Sequence, residues 1–164
     1  DVSPEAKRLM DTTRESLYEG IRAACAGGRI GDIGHAVQSY VEARGYSVVR
    51  QFVGHGVGTH LHEAPEVPNF GTPGRGIRLM PGMTIAIEPM VNAGGYDVKV
   101  QPDGGTALTK DGSISAHFEH TIVITADGPK IMTAVCGNAY GGPHSLFKGG
   151  ARSQPPYGGG ERGR

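Results

Sequence analysis

Three short motifs carry side chains that could hold a divalent cation. One is the glycine-framed run from His55 to Glu63, and the others centre on Glu88 and Glu119. Imidazole nitrogen and carboxylate oxygen are the donors that hard and borderline divalent cations take in proteins. Because the segments around both glutamates are apolar and rich in β-branched residues, we expect the donors to lie on strands, where they are fixed in position. The chemistry that this pattern favours is metal-assisted hydrolysis.

Each of these ligands also has a plainer interpretation. A histidine such as His55 is, by itself, more often structural than a ligand, and a buried Glu88 or Glu119 could pair with Arg or Lys. Their apolar neighbours predict that both carboxylates are buried, where an unpaired charge is costly. Two such carboxylates near each other repel and raise the pKa of one of them, unless a cation neutralises them. The three motifs together therefore favour a metal over an ion pair.

Glycines at positions 54, 56 and 58 surround His55. Without a β-carbon they allow close approach of the backbone, and we expect the approaching group to be a metal or a substrate. No helix is predicted after this run, so it is not a nucleotide-binding motif.

The three motifs resemble, in order and spacing, those of the type I methionine aminopeptidases of the M24 pita-bread metallopeptidases. The resemblance runs from about residue 1 to residue 134. Prolidase-like relatives share the ligands, but the run from Ile87 to Gly94 is similar to the methionine-specific branch. The resemblance implies an α+β architecture, the C-terminal half of a pita-bread (creatinase/aminopeptidase) fold, with helices packed on an antiparallel sheet.

The resemblance also implies the roles of individual residues. His55, Glu88 and Glu119 would bind two divalent metal ions of Co, Mn, Fe, Zn or Ni. Glu88 would also act as general acid and base, and His62 would contact the substrate and steady its carbonyl. Leu61 stands where the family has an aromatic residue that lines the methionine pocket, and Gly105 stands where a Trp is frequent. We therefore expect a pocket that is wider or formed differently, with Leu61 in contact with the substrate.

Most of the histidines and the glutamate next to these ligands are not expected to bind metal or substrate. His60 and His62 have the alternate spacing of a metal pair on a strand. Only His62 matches the family's substrate-contacting position, so we interpret His60 as a surface residue. Glu63, His117 and His120 are expected to support the ligands or to be structural.

The activity that the resemblance implies is removal of the N-terminal methionine from nascent proteins by a cytoplasmic, monomeric enzyme. Its partners would be nascent peptides and the ribosome. The family's two further Asp ligands and a third functional His align ahead of residue 1, so we expect this chain to lack part of the site. The alternative is a catalytically inactive pita-bread fragment, or a module that binds peptides or protein partners.

Composition divides the chain in two. Residues 137–164 hold nine of the 28 glycines, which predicts a disordered tail after a folded part of residues 1–136. Arg-Gly elements in this tail could make weak RNA or ribosome contacts, although a plain extension is favoured. The formal net charge is zero, which excludes a broad basic surface for specific nucleic-acid binding. Only Cys25 and Cys136 are present, which indicates a reduced cytoplasmic protein, and no apolar run has the length of a membrane span.

Two helices and several strands are expected to position the motifs. The first helix begins at Ser3-Pro4, with a buried stripe that includes Met10 and Leu17. The second is capped by Asp32 and closed by Gly45. Strands are predicted for segments 46–53, 83–91, 96–101, 119–125 and 130–133, and an irregular loop for 65–81.

Overall fold

The computed structural model describes residues 2–135, and those up to residue 134 form one compact unit. The predicted tail of residues 137–164 and Cys136 lie outside the described residues. Within the described part, no helix is both long and apolar enough to cross a membrane.

The first helix, α1, covers Pro4–Ala23. The Ser3 hydroxyl accepts a hydrogen bond from the backbone N–H three residues later at 3.1 Å, so the predicted N-cap is confirmed. The expected buried stripe is wrong at Met10, which is 38% exposed. Leu9 is buried instead, on the same face as Leu17 and Ile21, and the rest of the predicted stripe is buried as expected.

The second helix, α2, covers Ile30–Glu42 and packs against α1. Its N-cap is Arg29 rather than the predicted Asp32. Asp32 lies in the first turn, where its carboxylate accepts the Arg29 N–H at 2.7 Å, so it still completes the cap from inside the helix. The two helices meet closely at Gly20, where a β-carbon would press on the side chain of Val37.

Between the second helix and residue 135 the structure has ten short strands, all paired antiparallel. They are β1 Ser47–Val48, β2 Gly54–Gly56, β3 Glu63–Val67, β4 Thr84–Ile87, β5 Met90–Asn92, β6 Val98–Val100, β7 Ala107–Thr109, β8 Ser115–His117, β9 His120–Thr125 and β10 Gly128–Ile131. A five-stranded sheet has the order β10-β9-β4-β2-β3, a three-stranded sheet the order β1-β5-β8, and β6 pairs with β7.

Two predicted strands differ in the structure. In segment 46–53 only Ser47–Val48 forms a strand, β1 of the three-stranded sheet, and the next strand, β2, begins after the segment and belongs to the five-stranded sheet. Segment 83–91 is divided into β4 and β5, again in different sheets, because Pro89 has no N–H to continue a ladder. Strands β7 and β8 were not predicted, and β3 occupies the start of the expected loop 65–81.

Within residues 2–135 the core consists of two clusters, which link the helices to the five-stranded and three-stranded sheets. Leu17 and Ile21 of α1 are in one cluster with Ile85 and Ile122 of the five-stranded sheet. The other cluster joins both helices to the three-stranded sheet, through Leu9, Val37, Val41, Val48 and Val91. Helices packed on antiparallel sheets are the α+β architecture that the sequence predicts.

Candidate metal centre

Glu88 and Glu119 lie where two neighbouring strand pairs pass from one sheet into the other. Glu88 follows β4 and precedes β5, and Glu119 connects β8 to β9. β4 pairs with β9, and β5 pairs with β8. The segment from β4 to β5 and the segment from β8 to β9 therefore pass between the two sheets next to each other. The Phe118 N–H donates to the Pro89 carbonyl at 3.4 Å across this junction. The two glutamates therefore lie side by side where the strands pass between the two sheets, with ligand atoms within 4.8 Å of each other.

His55 is held on β2, between β3 and β4, by very close backbone packing. A β-carbon at Gly54 would overlap the carbonyl oxygen of Ala86, and one at Gly56 would overlap that of Ala64. The groups that approach these glycines are thus neighbouring strands, not the metal or substrate that the sequence suggested. This close packing of the neighbouring strands fixes the position of His55 in the sheet.

The two ring nitrogens of His55 have distinct roles. Nδ1 lies 2.9 Å from the Gly56 carbonyl oxygen, which can only accept, so Nδ1 carries the proton of this contact. Nε2 lies 3.3 Å from Oε1 of Glu88. In the neutral ring, Nε2 presents a lone pair to a carboxylate oxygen that is also a lone-pair donor. A proton or a metal cation between these two atoms would satisfy both.

His117 lies on the other side of Glu88. Its Nε2 is 3.7 Å from Oε2 of Glu88, and ligand atoms of Glu88, His117 and Glu119 all lie within 4.8 Å of one another. The Glu88 side chain is 14% exposed, as its apolar neighbours predicted. Glu119 is exposed, in contrast to the prediction, because it lies at the β8–β9 junction rather than inside a strand.

The surroundings of Glu88 disfavour its charge. Burial raises the pKa of the Glu88 carboxyl, and the nearby Glu119 carboxylate raises it further. His55 and His117 oppose this rise, and the net direction is upward. The amide of Asn69 donates to the Glu88 carbonyl at 3.2 Å and fixes the backbone at this position.

The histidine run after β2 forms a turn that Glu63 organises. The Glu63 carboxylate accepts the His60 N–H at 2.6 Å. The His62 ring lies 4.1 Å from the His55 ring, centroid to centroid, at 44°. His60 is exposed, as expected of a surface residue, and Leu61 is 71% exposed. Of this run, the structure brings only His62 beside a predicted metal ligand.

His120 has a structural environment. Its Nδ1 lies 2.8 Å from the Thr133 hydroxyl, and its ring centroid is 5.9 Å from that of Tyr18. Burial lowers the pKa of His120, so the ring favours its neutral form. These contacts agree with the second of the two roles expected for His120, a structural one.

The donors present fit a divalent cation. Two carboxylates and two imidazoles converge, and the Nε2–Oε1 pair of His55 and Glu88 lacks a shared hydrogen unless the ring or the carboxyl is protonated. A cation would neutralise the repulsion that raises the pKa of Glu88. Such a set can polarise a carbonyl and activate water for hydrolysis.

His117 is the residue that sequence reasoning placed too far from the centre. It was expected to support the ligands, yet its Nε2 is close to a Glu88 oxygen. The available signal was its spacing, since His117 and Glu119 alternate and alternate residues of an extended chain share a face. The same rule was applied to His60 and His62, where a turn replaces the strand.

A model of metallopeptidase family M24 matches residues 1–126. A methionine aminopeptidase of Clostridium perfringens is 54% identical over 135 residues, which are 82% of this chain and 54% of that protein. Methionine aminopeptidase 1 of Bacillus subtilis is 53% identical over the same length of alignment, with the same two shares.

Solved structures give the same picture. The methionine aminopeptidase of Rickettsia prowazekii superposes with a TM-score of 0.80 at 46% identity, over 82% of this chain and 54% of that chain. That of Thermotoga maritima gives 0.78 at 51% identity, over 80% and 53%. A prolidase of Pyrococcus horikoshii, 24% identical, shares the fold with a TM-score of 0.60, over 82% and 33%. The chain spans about half the length of the methionine aminopeptidases it matches.

Proposed function

Because the chain belongs to metallopeptidase family M24 and has its pita-bread fold, we propose a metal-dependent peptidase activity. The reaction that we propose is removal of the N-terminal methionine from nascent proteins. The observation that carries the proposal is the position of the Glu88 carboxylate. It lies between the Nε2 atoms of His55 and His117, with Glu119 close by. Relatives about half identical to the chain are methionine aminopeptidases.

His55, Glu88 and Glu119 are the residues that would hold divalent cations, of which we propose two. The candidate metals are Co, Mn, Fe, Zn and Ni, because each accepts mixed nitrogen and oxygen donors. When bound, such cations supply Lewis acidity and lower the pKa of water to near neutrality. The two carboxylates and the imidazole would set their number and position.

Glu88 and His62 would move protons and orient the substrate. The raised pKa of Glu88 brings this carboxyl closer to neutral pH, which suits a group that takes a proton from water and returns it to the leaving amine. His62 would donate a hydrogen bond to the scissile carbonyl, a role supported by its exposure and its position beside the His55 ring. Leu61 of the same turn is proposed to touch the substrate.

An apolar cavity of about 190 Å³ adjoins His117 and supports the choice of methionine. It lies between the three-stranded sheet and the β6–β7 pair. Its lining includes Val49, Phe52, Met90 and Ala116. Ligand pockets are usually about 300–1,000 Å³, so this cavity suits one side chain rather than a whole peptide. A thioether packs well against such apolar and aromatic groups.

The remaining features of the proposal concern the cell. The substrate would be the N-terminal Met of nascent peptides in the cytoplasm, reached near the ribosome by a monomeric enzyme. Support comes from the scarcity of cysteine and the free thiol of Cys25, which suit a reducing compartment.

The test is methionine release by the protein expressed from its complete gene. The peptides Met-Ala-Ser, Leu-Ala-Ser and Lys-Ala-Ser are incubated with it after chelation and after return of Co²⁺ or Mn²⁺. We expect release from the methionine peptide only, and only with metal. A protein that binds Met-Ala-Ser but leaves it intact under every metal would support the alternative, a peptide-binding module.

A further inference from the structure

We propose that His117 is itself a metal ligand and that it biases the Glu88–Glu119 position toward borderline cations such as Co²⁺ and Zn²⁺ over Mn²⁺. The inference deepens the proposed function, because it concerns the same site. It gives the metal site a second nitrogen donor besides His55. The sequence predicts only a supporting or structural role for this donor, His117.

The geometry places His117 as a counterpart of His55. Glu88 directs one oxygen to each ring, Oε1 to His55 at 3.3 Å and Oε2 to His117 at 3.7 Å. Glu119 completes a group whose ligand atoms lie within 4.8 Å of one another. Distances of this size leave room for an ion at about 2.0–2.2 Å from nitrogen and oxygen donors. Glu88 thus has an imidazole available at each of its two oxygens.

Strand pairing fixes His117 in this position. It is the last residue of β8 and lies opposite Met90, two residues after Glu88. Two residues later the chain reaches Glu119, so the imidazole and both carboxylates lie where the β5–β8 pair is followed by the β4–β9 pair. Of the His117 side chain, 43% is exposed, so a neutral ring can exchange a solvent contact for a cation at little cost in burial.

Ligand chemistry then predicts selectivity. Carboxylate oxygens suit Mg²⁺ and Mn²⁺, whereas imidazole nitrogen suits Zn²⁺ and the neighbouring transition metals. A position with Glu88 and Glu119 alone would resemble an oxygen-only site. With His117 added, the same position gains a nitrogen donor, and affinity for Co²⁺ and Zn²⁺ rises more than affinity for Mn²⁺.

The first experiment compares metal affinities by calorimetry in the protein expressed from its complete gene, with Co²⁺ and Mn²⁺ as separate probes. His117→Gln is expected to weaken Co²⁺ binding at least about tenfold, as loss of even a group that only supports a ligand does. Mn²⁺ affinity should stay within about threefold, because the carboxylates remain. The matched control is His60→Gln, an exposed histidine on the neighbouring turn. Equal Co²⁺ affinity in the two variants would overturn the inference.

A second variant keeps the test decisive if His117→Gln folds poorly. His117→Cys places a thiolate at the proposed ligand position, and a thiolate bound to Co²⁺ gives a sulfur-to-cobalt charge-transfer band in the near ultraviolet. The band should appear in this variant and be absent from His60→Cys, which carries the same background cysteines. Its absence from both would overturn the inference.

The two proposals can fail separately. Co²⁺ bound through position 117 in a protein that releases no methionine would leave this inference standing and remove the proposed activity. Methionine release with identical Co²⁺ affinities in the wild type and His117→Gln would support the proposed activity and overturn the inference about His117.

Discussion

The Glu88 carboxylate lies between the rings of His55 and His117, so a change confined to its charge tests the site with little change in shape. In the protein expressed from its complete gene, Glu88→Gln should lower the rate of methionine release at least about a hundredfold, because a ligand and a proton carrier are lost together. The melting temperature should change little, since burial already disfavours the charged form. Peptide assays and thermal melts measure the two effects.

The matched control is Glu66→Gln. Glu66 pairs with His55 across the β2–β3 ladder but is exposed. This variant should keep wild-type turnover. If both variants retain turnover at saturating metal, Glu88 has no part in the mechanism.

A second residue, Asp111, ties pH to stability. Its oxygens accept the Gly95 N–H at 2.8 Å and the Ser113 N–H at 3.0 Å, and hydrogen bonds to Ser113, followed by that to Gly95, lower its pKa from 3.8 to about 2. A carboxyl whose pKa is lower in the folded state stabilises that state fully above the unfolded value, and the contribution is lost as pH falls through the folded value.

Asp111→Asn should therefore melt below the wild type near neutral pH. The difference should shrink as pH falls from about 4 to about 2, where the wild-type carboxyl also becomes neutral. Thermal melts over this pH range measure it, with Asp127→Asn, at an exposed turn carboxylate, as control. A difference that does not depend on pH would assign the effect to shape rather than charge.

At the scale of elements, the packing of β2 between its neighbours controls the position of His55. Gly54→Ala would place a methyl group against the Ala86 carbonyl, so β2 and β4 must separate. Overpacking of this kind costs about 1–3 kcal/mol. We expect a lower midpoint in denaturant unfolding and weaker Co²⁺ binding. Gly105→Ala, which meets no atom within 4 Å, should change neither. Unaltered metal binding in Gly54→Ala would mean that the packing of β2 does not control the position of His55.

The existence of most elements followed from the sequence, but their division between sheets did not. The Ser3-Pro4 start predicted α1 because its cap is a local hydrogen bond. Segment 83–91 was read as one strand because its apolar residues run on past Glu88. Only the pairing of β4 with β9 and of β5 with β8 shows that the ladder changes partners there. Such pairing depends on distant parts of the chain, which local propensity does not report.

The identity of the candidate ligands could also be predicted from the sequence, but their surroundings could not. His55, Glu88 and Glu119 could be named in advance because their motifs resemble those of a known family. The exposure of Glu119 and the approach of His117 to Glu88 could not be predicted, since both depend on how the strands pass from one sheet to the other. The α+β class was predictable because helical and alternating patterns are separated along the chain.

At the scale of the whole molecule, composition predicts that the last segment adds nothing to the core. Deleting residues 137–164, which are rich in glycine, should leave the melting temperature almost unchanged. Calorimetry of the full chain and the truncated chain, at equal concentration, measures this. A fall of many degrees on truncation would show that the segment packs against residues 1–136.

The sheet order has a kinetic consequence. The pairings that bring the three ligands together, of β2 with β4 and of β4 with β9, join segments far apart in the chain, so long intervening stretches must close first. Non-local pairing is slow because the entropy of loop closure must be lost first. The ligand set therefore assembles in the same late step as the sheet. A cation that binds only this finished arrangement will leave the folding rate unchanged and slow unfolding.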